Sequence, residues 1–213
     1  VKTPVSMKIF HMKRWSTRAL GVAALAWSLS LAACAPSLDW REVRLGEPGG
    51  LQALFPCKPE RHQRSLAVEG WPSPLTVQMW SCTAAGLTWA VSQTPAADAE
   101  AVPTLLAAWP RWTEANLQAA ARQLPVARQV EVVALGPVSV PGMTPWPQAQ
   151  GWRIRTERPD ASGRPLPVEV SAWHFAHGLQ VYQAAVWRTG TTSEAAKPDE
   201  LLNPFLNGFQ FRP

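Results

Sequence analysis

The chain predicts an α+β fold: an antiparallel sheet of about six to seven strands in the order β-β-β-α-β-β-β-β-α, with a central amphipathic helix and a C-terminal helix. Three observations carry this. The stretch 98–124 repeats apolar residues at spacings of three and four. Runs on either side of it alternate apolar with polar residues or are rich in valine, as half-buried strands do. Short segments of Gly, Pro, Asp and Ser separate those runs at hairpin distances. With 46% hydrophobic and 16% charged residues among 213, the composition is that of a packed chain and not a disordered one.

Residues 35–50 mix charge with Gly and Pro and read as a tether plus a short entering strand. Phe55-Pro56-Cys57-Lys58-Pro59 is extended, and 60–69 forms a strand before the turn Gly70-Trp71-Pro72-Ser73-Pro74. In the next strand Leu75, Val77 and Met79 share one face while Thr76, Gln78 and Trp80 share the other. Ala84-Ala85-Gly86 then leads into a strand from Leu87 to Gln93.

The helix 98–124 carries Ala99, Val102, Leu105, Leu106, Trp109, Leu117, Ala120 and Leu124 as one stripe, with Asp98 as its N-cap. Pro110 falls in its interior and removes a hydrogen bond, so a kink or two consecutive helices are expected near Ala108. Arg128–Val140 reads as a strand, and the prolines at 141, 145 and 147 make 141–149 a loop. Residues 150–158, 167–176 and 179–188 form an antiparallel meander, turning at Pro159–Gly163 and at His177-Gly178. A short helix capped by Thr192 or Ser193 closes the chain with Leu201, Leu202, Phe205, Leu206 and Phe209, although Pro204 threatens its continuity.

The N-terminal part differs in kind. Lys2, Lys8, Lys13, Arg14 and Arg18 precede an uncharged, mostly apolar run from Ala19 to Ala33 that ends Leu31-Ala32-Ala33-Cys34. Fifteen residues fall short of the roughly 20 that span a bilayer but suit the core of a secretory signal. The ending resembles the lipobox of bacterial lipoproteins, which implies cleavage before Cys34 and acylation of its thiol. Several acyl chains, at about 0.8 kcal/mol per buried methylene, hold such a protein permanently on a membrane. Ala35 in place of Asp favours the outer membrane, facing the periplasm. The expected organisation is therefore a signal at 1–33, a lipidated tether at 34–50 and one α+β domain at 51–213.

That segment also explains the net charge of +5, because removing its five cations leaves 15 basic and 15 acidic side chains. No basic footprint remains for a phosphate backbone, and nucleic acid is not an expected partner. Two cysteines remain after Cys34 is assigned, Cys57 and Cys82, in a compartment that permits disulfides. The first strands form a meander that brings them together, so they are expected to pair.

The element order, the Phe55-Pro56-x-x-Pro59 entry, the central helix and the closing Phe205-Leu206-Asn207-Gly208-Phe209 resemble the Mog1/PsbP-like α-β-α sandwiches over residues 51–213. Cys57 stands where that family has Gly. The resemblance implies binding more often than catalysis and selects no ligand.

Candidate chemistry is sparse. His174 and His177 lie three apart and point to opposite faces of a strand, and they are expected at a solvated hairpin tip. His62 stands among Glu60, Arg61 and Arg64 on a solvated strand face. Arg153, Arg155 and Glu157 alternate along one strand and read as a wet sheet surface. No catalytic constellation, metal site or cofactor motif is expected. Ten tryptophans follow residue 33. Trp89, Trp109, Trp152 and Trp187 lie in regular segments and suit the core. Trp71 and Trp146 lie in proline-stiffened loops, where a ring loses little entropy on binding an envelope protein or glycan.

The expected function is thus a lipid-anchored, noncatalytic periplasmic binding or envelope-assembly module, with the membrane as its first partner. The alternative is an envelope hydrolase whose site is assembled from distant carboxylates such as Glu131, Glu157 or Glu169. A purely structural lipoprotein is the third reading.

Overall fold

Alternation and turn chemistry place ten strands and two helices among the described residues. The computed structural model describes residues 38–46, 50–68, 71, 73–126, 128–190 and 198–211, all within the unit Ser37–Pro213. The signal segment, Cys34, and the caps Thr192 and Ser193 lie outside the described residues. The strands are β1 (Arg41–Leu45), β2 (Leu51–Phe55), β3 (Glu60–Leu66), β4 (Leu75–Ala84), β5 (Leu87–Pro95), β6 (Glu131–Pro137), β7 (Gln150–Pro159), β8 (Pro165–His177), β9 (Gln180–Thr189) and β10 (Gln210–Phe211). The helices are α1 (Ala101–Ala121) and α2 (Pro198–Asn207).

Seven strands form one sheet in the order β3-β4-β5-β9-β8-β7-β6, and every neighbouring pair is antiparallel. The entering strand β1 pairs with β2, and β10 pairs with the other edge of β2, giving a separate three-stranded sheet. Nothing in the alternation signals β10, because two residues carry no period and their partner is distant in the chain.

Parity along β8 shows how the large sheet is covered on both faces. Val168, Val170, Ala172, His174 and Ala176 face α1, whose Val102, Leu105, Leu106, Trp109 and Leu117 are buried against that side. Phe175 faces the other way, into the larger core. There Phe55, Leu51, Phe205, Phe209 and Phe211 from the small sheet and the α2 region pack on Trp89, Val91 and Tyr182. Each large apolar side chain buried in this way contributes roughly 1.5–3 kcal/mol. The result is three layers: one helix, the seven-stranded sheet, and the small sheet with α2.

Several expectations about local structure change. Helix α1 runs unbroken past Pro110 instead of splitting near Ala108. Proline costs a helix interior about 3 kcal/mol, but the buried stripe continues on both sides of it and outweighs that loss. The N-cap position is Glu100 and not Asp98, although Asp98 Oδ1 accepts the Ala101 N–H at 2.8 Å from two residues before the cap. His174, too, differs from expectation and is not at a solvated tip. Strand β8 continues to His177, so His174 lies inside the strand on the α1 face and is only 1% exposed. The opposite-face placement of the two histidines holds, since His177 stacks on Phe211 on the other side.

Candidate functional site

The row of residues that crosses β4, β5 and β9 on the side of the small sheet starts apolar and ends polar. Trp89 and Val91 of β5 are core, but the next position of the same parity is Gln93. Gln93 stands opposite Gln78 of β4 and Tyr182 of β9. One step further along, Pro95, Gln180 and His177 form the next row. These residues, with Arg61 of β3, line a pocket of about 470 Å³. Gly46, at the end of β1, forms part of its wall with φ +85°. A Cβ at Gly46 would stand 3.2 and 3.3 Å from the amide atoms of Gln93, a tight contact, and the positive φ is what favours glycine here.

The hydrogen bonds fix which way the amides point. Arg61 lies over the Trp80 ring at 5.5 Å and donates from Nη2 to Gln78 Oε1 at 3.2 Å. A guanidinium only donates, so the Gln78 atom must be the carbonyl oxygen. The Gln93 atom that reaches the same oxygen, at 3.4 Å, must then be its amide nitrogen. Gln93 Oε1 is left buried without a partner, on a residue only 8% exposed. Gln180 Oε1 is likewise buried and unpartnered.

The remaining groups are a phenol and an imidazole. Burial pushes the Tyr182 hydroxyl up to about 12, so it keeps its proton and can donate. His177 Nδ1 lies 2.8 Å from the Gly142 carbonyl, which can only accept. In the neutral imidazole this leaves Nε2 as an acceptor.

The residues singled out from the sequence are dispersed. Cys57 and Cys82 are bonded, with Cα atoms 6.0 Å apart, and tie the segment between β2 and β3 to β4. Trp71 is half-buried, edge-on to Trp112 of α1 at 5.9 Å. Trp146 is half-buried between the two larger core clusters, and its indole N–H is buried without a partner. Neither ring lines the polar pocket. Trp89 and Trp109 are core, whereas Trp152 and Trp187 are half-buried. His62 is exposed, 3.7 Å from Glu60. Among the described residues no three His, Cys, Asp or Glu side chains converge as metal ligands, and no helix is long and apolar enough to cross a membrane.

Of the three carboxylates, Glu169 lines a small open pocket together with Arg155 and Arg188. Glu131, Arg155, Glu169 and Arg188 stand in one register row across β6 to β9, alternating in sign. Glu169 is held by both Arg155 and Arg188, and Glu157 pairs with Arg128. Burial alone would raise the Glu169 carboxyl, but the hydrogen bonds and charges of Arg155 and Arg188 outweigh it and hold it low. That is the reverse of what a general acid needs. Arg153 of the same face reaches Ser171 at 3.3 Å.

Sequence reasoning did not single out Gln93, Gln180 or Gly46. The available signal was a glutamine at the parity of a buried aromatic row, which is an uncommon place for an amide.

Neither a protein-family model nor a curated protein matches the chain. Among solved structures it is similar to LpqN, described as involved in cell envelope biogenesis of Mycobacterium tuberculosis. The two share 11% identity over 83% of this chain and 92% of that one, with a TM-score of 0.38. A likeness of that degree carries neither fold nor function from one protein to the other.

Proposed function

We propose that this protein is a lipid-anchored, noncatalytic binding module of the bacterial envelope, held through acylated Cys34 at the outer membrane and facing the periplasm. The lipobox supports the anchor. The layering of helix, sheet, and small sheet with α2 supports the resemblance to the Mog1/PsbP-like sandwiches. The observation that carries the binding role is the polar pocket, whose wall includes two glutamines with buried amide oxygens that have no hydrogen-bond partner in the protein. A hydrolase built on Glu131, Glu157 and Glu169 draws no support from carboxylates tied to arginines.

Two measurements test this. Changing Cys34→Ala should leave an unprocessed, unacylated precursor in labelled-palmitate experiments; normal processing and membrane attachment would remove the anchor assignment. For the pocket, a soluble extract of the envelope should raise the melting temperature of the wild-type protein and not that of Gln93→Leu. Equal melting temperatures with and without extract would overturn the binding role.

A further inference from the structure

We infer that the pocket beside Gly46 takes an uncharged, hydroxyl-rich ligand, a sugar ring of a glycan; this rests on the binding role proposed above. The basis is a mismatch of hydrogen-bonding capacity. Gln93 Oε1 and Gln180 Oε1 are both acceptors without donors. Their orientation is not arbitrary for Gln93, because the Arg61 guanidinium fixes the amide of Gln78, which in turn fixes that of Gln93. The ligand must therefore donate. It must also accept, because Tyr182 offers a hydroxyl and Arg61 a guanidinium on the same pocket.

A phosphate or carboxylate fails the first requirement. A carboxylate or phosphodiester brings only acceptors, and a free phosphate, although it carries a hydroxyl, would still set its negative oxygens against the second carbonyl oxygen. A cation fails differently: it would satisfy the carbonyls but share the pocket with Arg61, and no described lining residue is acidic. A hydroxyl group donates and accepts at once, and a sugar ring presents several of them around a compact, uncharged body. The volume of about 470 Å³ lies within the range of small-molecule sites and leaves space for more than one ring.

The test is saturation-transfer NMR on the detergent-solubilised full chain with four probes: cellobiose, chitobiose, inorganic phosphate and ethanolamine. At least one disaccharide should bind saturably, and its dissociation constant should rise about tenfold in Gln93→Leu and in Gln180→Leu. The half-buried Gln180 provides the second variant in case loss of Gln93 disturbs folding, which melting curves of both would reveal. Disaccharide binding that is unchanged in both folded variants would overturn the inference. So would binding of phosphate or ethanolamine, lost in Gln93→Leu, when neither disaccharide binds; the binding role of the pocket would then survive. If no probe binds, the inference falls, and the extract-dependent melting shift decides separately whether the binding role falls with it.

Discussion

His174 lies against Trp109, with its Nε2 3.0 Å from the Gln183 amide nitrogen. Burial pushes this imidazole down from 6.5 to about 4, with the Gln150 backbone opposing. The folded protein therefore keeps His174 neutral where the unfolded chain already takes up a proton. The stability from this group is complete above pH 6.5 and falls away as the pH drops to about 4, a loss of roughly 3 kcal/mol. Urea unfolding at pH 7, 5.5 and 4.5 should show that slope, and His174→Gln should flatten it. Two other residues test the proline-stiffened loops. Trp146 bridges two core clusters, so Trp146→Ala should cost about 2–4 kcal/mol in melting experiments. Among the described residues Trp71 packs on the cluster beneath α1, and Trp71→Ala should cost less. A recognition role for either ring requires the opposite pattern, namely lost capture of envelope partners at unchanged stability. From the sequence, pleat parity separated His174 from His177 correctly but could not say that a helix covers one of those faces.

At the scale of elements, legibility followed range. The meander β7-β8-β9 was readable because its turns are local: Asp160 Oδ1 accepts the N–H groups of Ser162 and Arg164, and Gly178 supplies φ +55°. The pairing of β10 with β2 was not, because it depends on a partner far away in the chain. Helix α1 was readable in extent and face but not in continuity, since propensity at Pro110 yields to burial. The pocket was the least legible feature, because its side chains come from five strands that register brings together, with Gly46 added from the end of β1. The disulfide belongs to this scale too. It closes the loop from Cys57 to Cys82 around β3 and most of β4. Replacing both cysteines with alanine should lower stability by about 3 kcal/mol in the chain-entropy account, read as a fall in melting temperature under nonreducing conditions. Reductant should reproduce that fall in the wild type and leave the double variant unchanged.

For the whole molecule, the two faces of the large sheet carry different duties. The α1 face is covered by one continuous local element, whereas the opposite face is covered by pieces from both ends of the described chain. Phe211 of β10 packs on Phe175, Tyr182 and His177, and the last two line the polar pocket. Shortening the chain to end before Gln210 should therefore leave α1 and most strands in place by circular dichroism, while extract no longer shifts the melting temperature. This arrangement also sets a clock. Synthesis delivers β2 about 160 residues before β10, so the small sheet cannot close until nearly everything between them has emerged. A nascent molecule can own a hairpin, a helix and even most of its large sheet while its pocket still lacks a finished wall. The wall of the pocket is thus completed among the last events of folding, and an intact pocket certifies that the rest has been built.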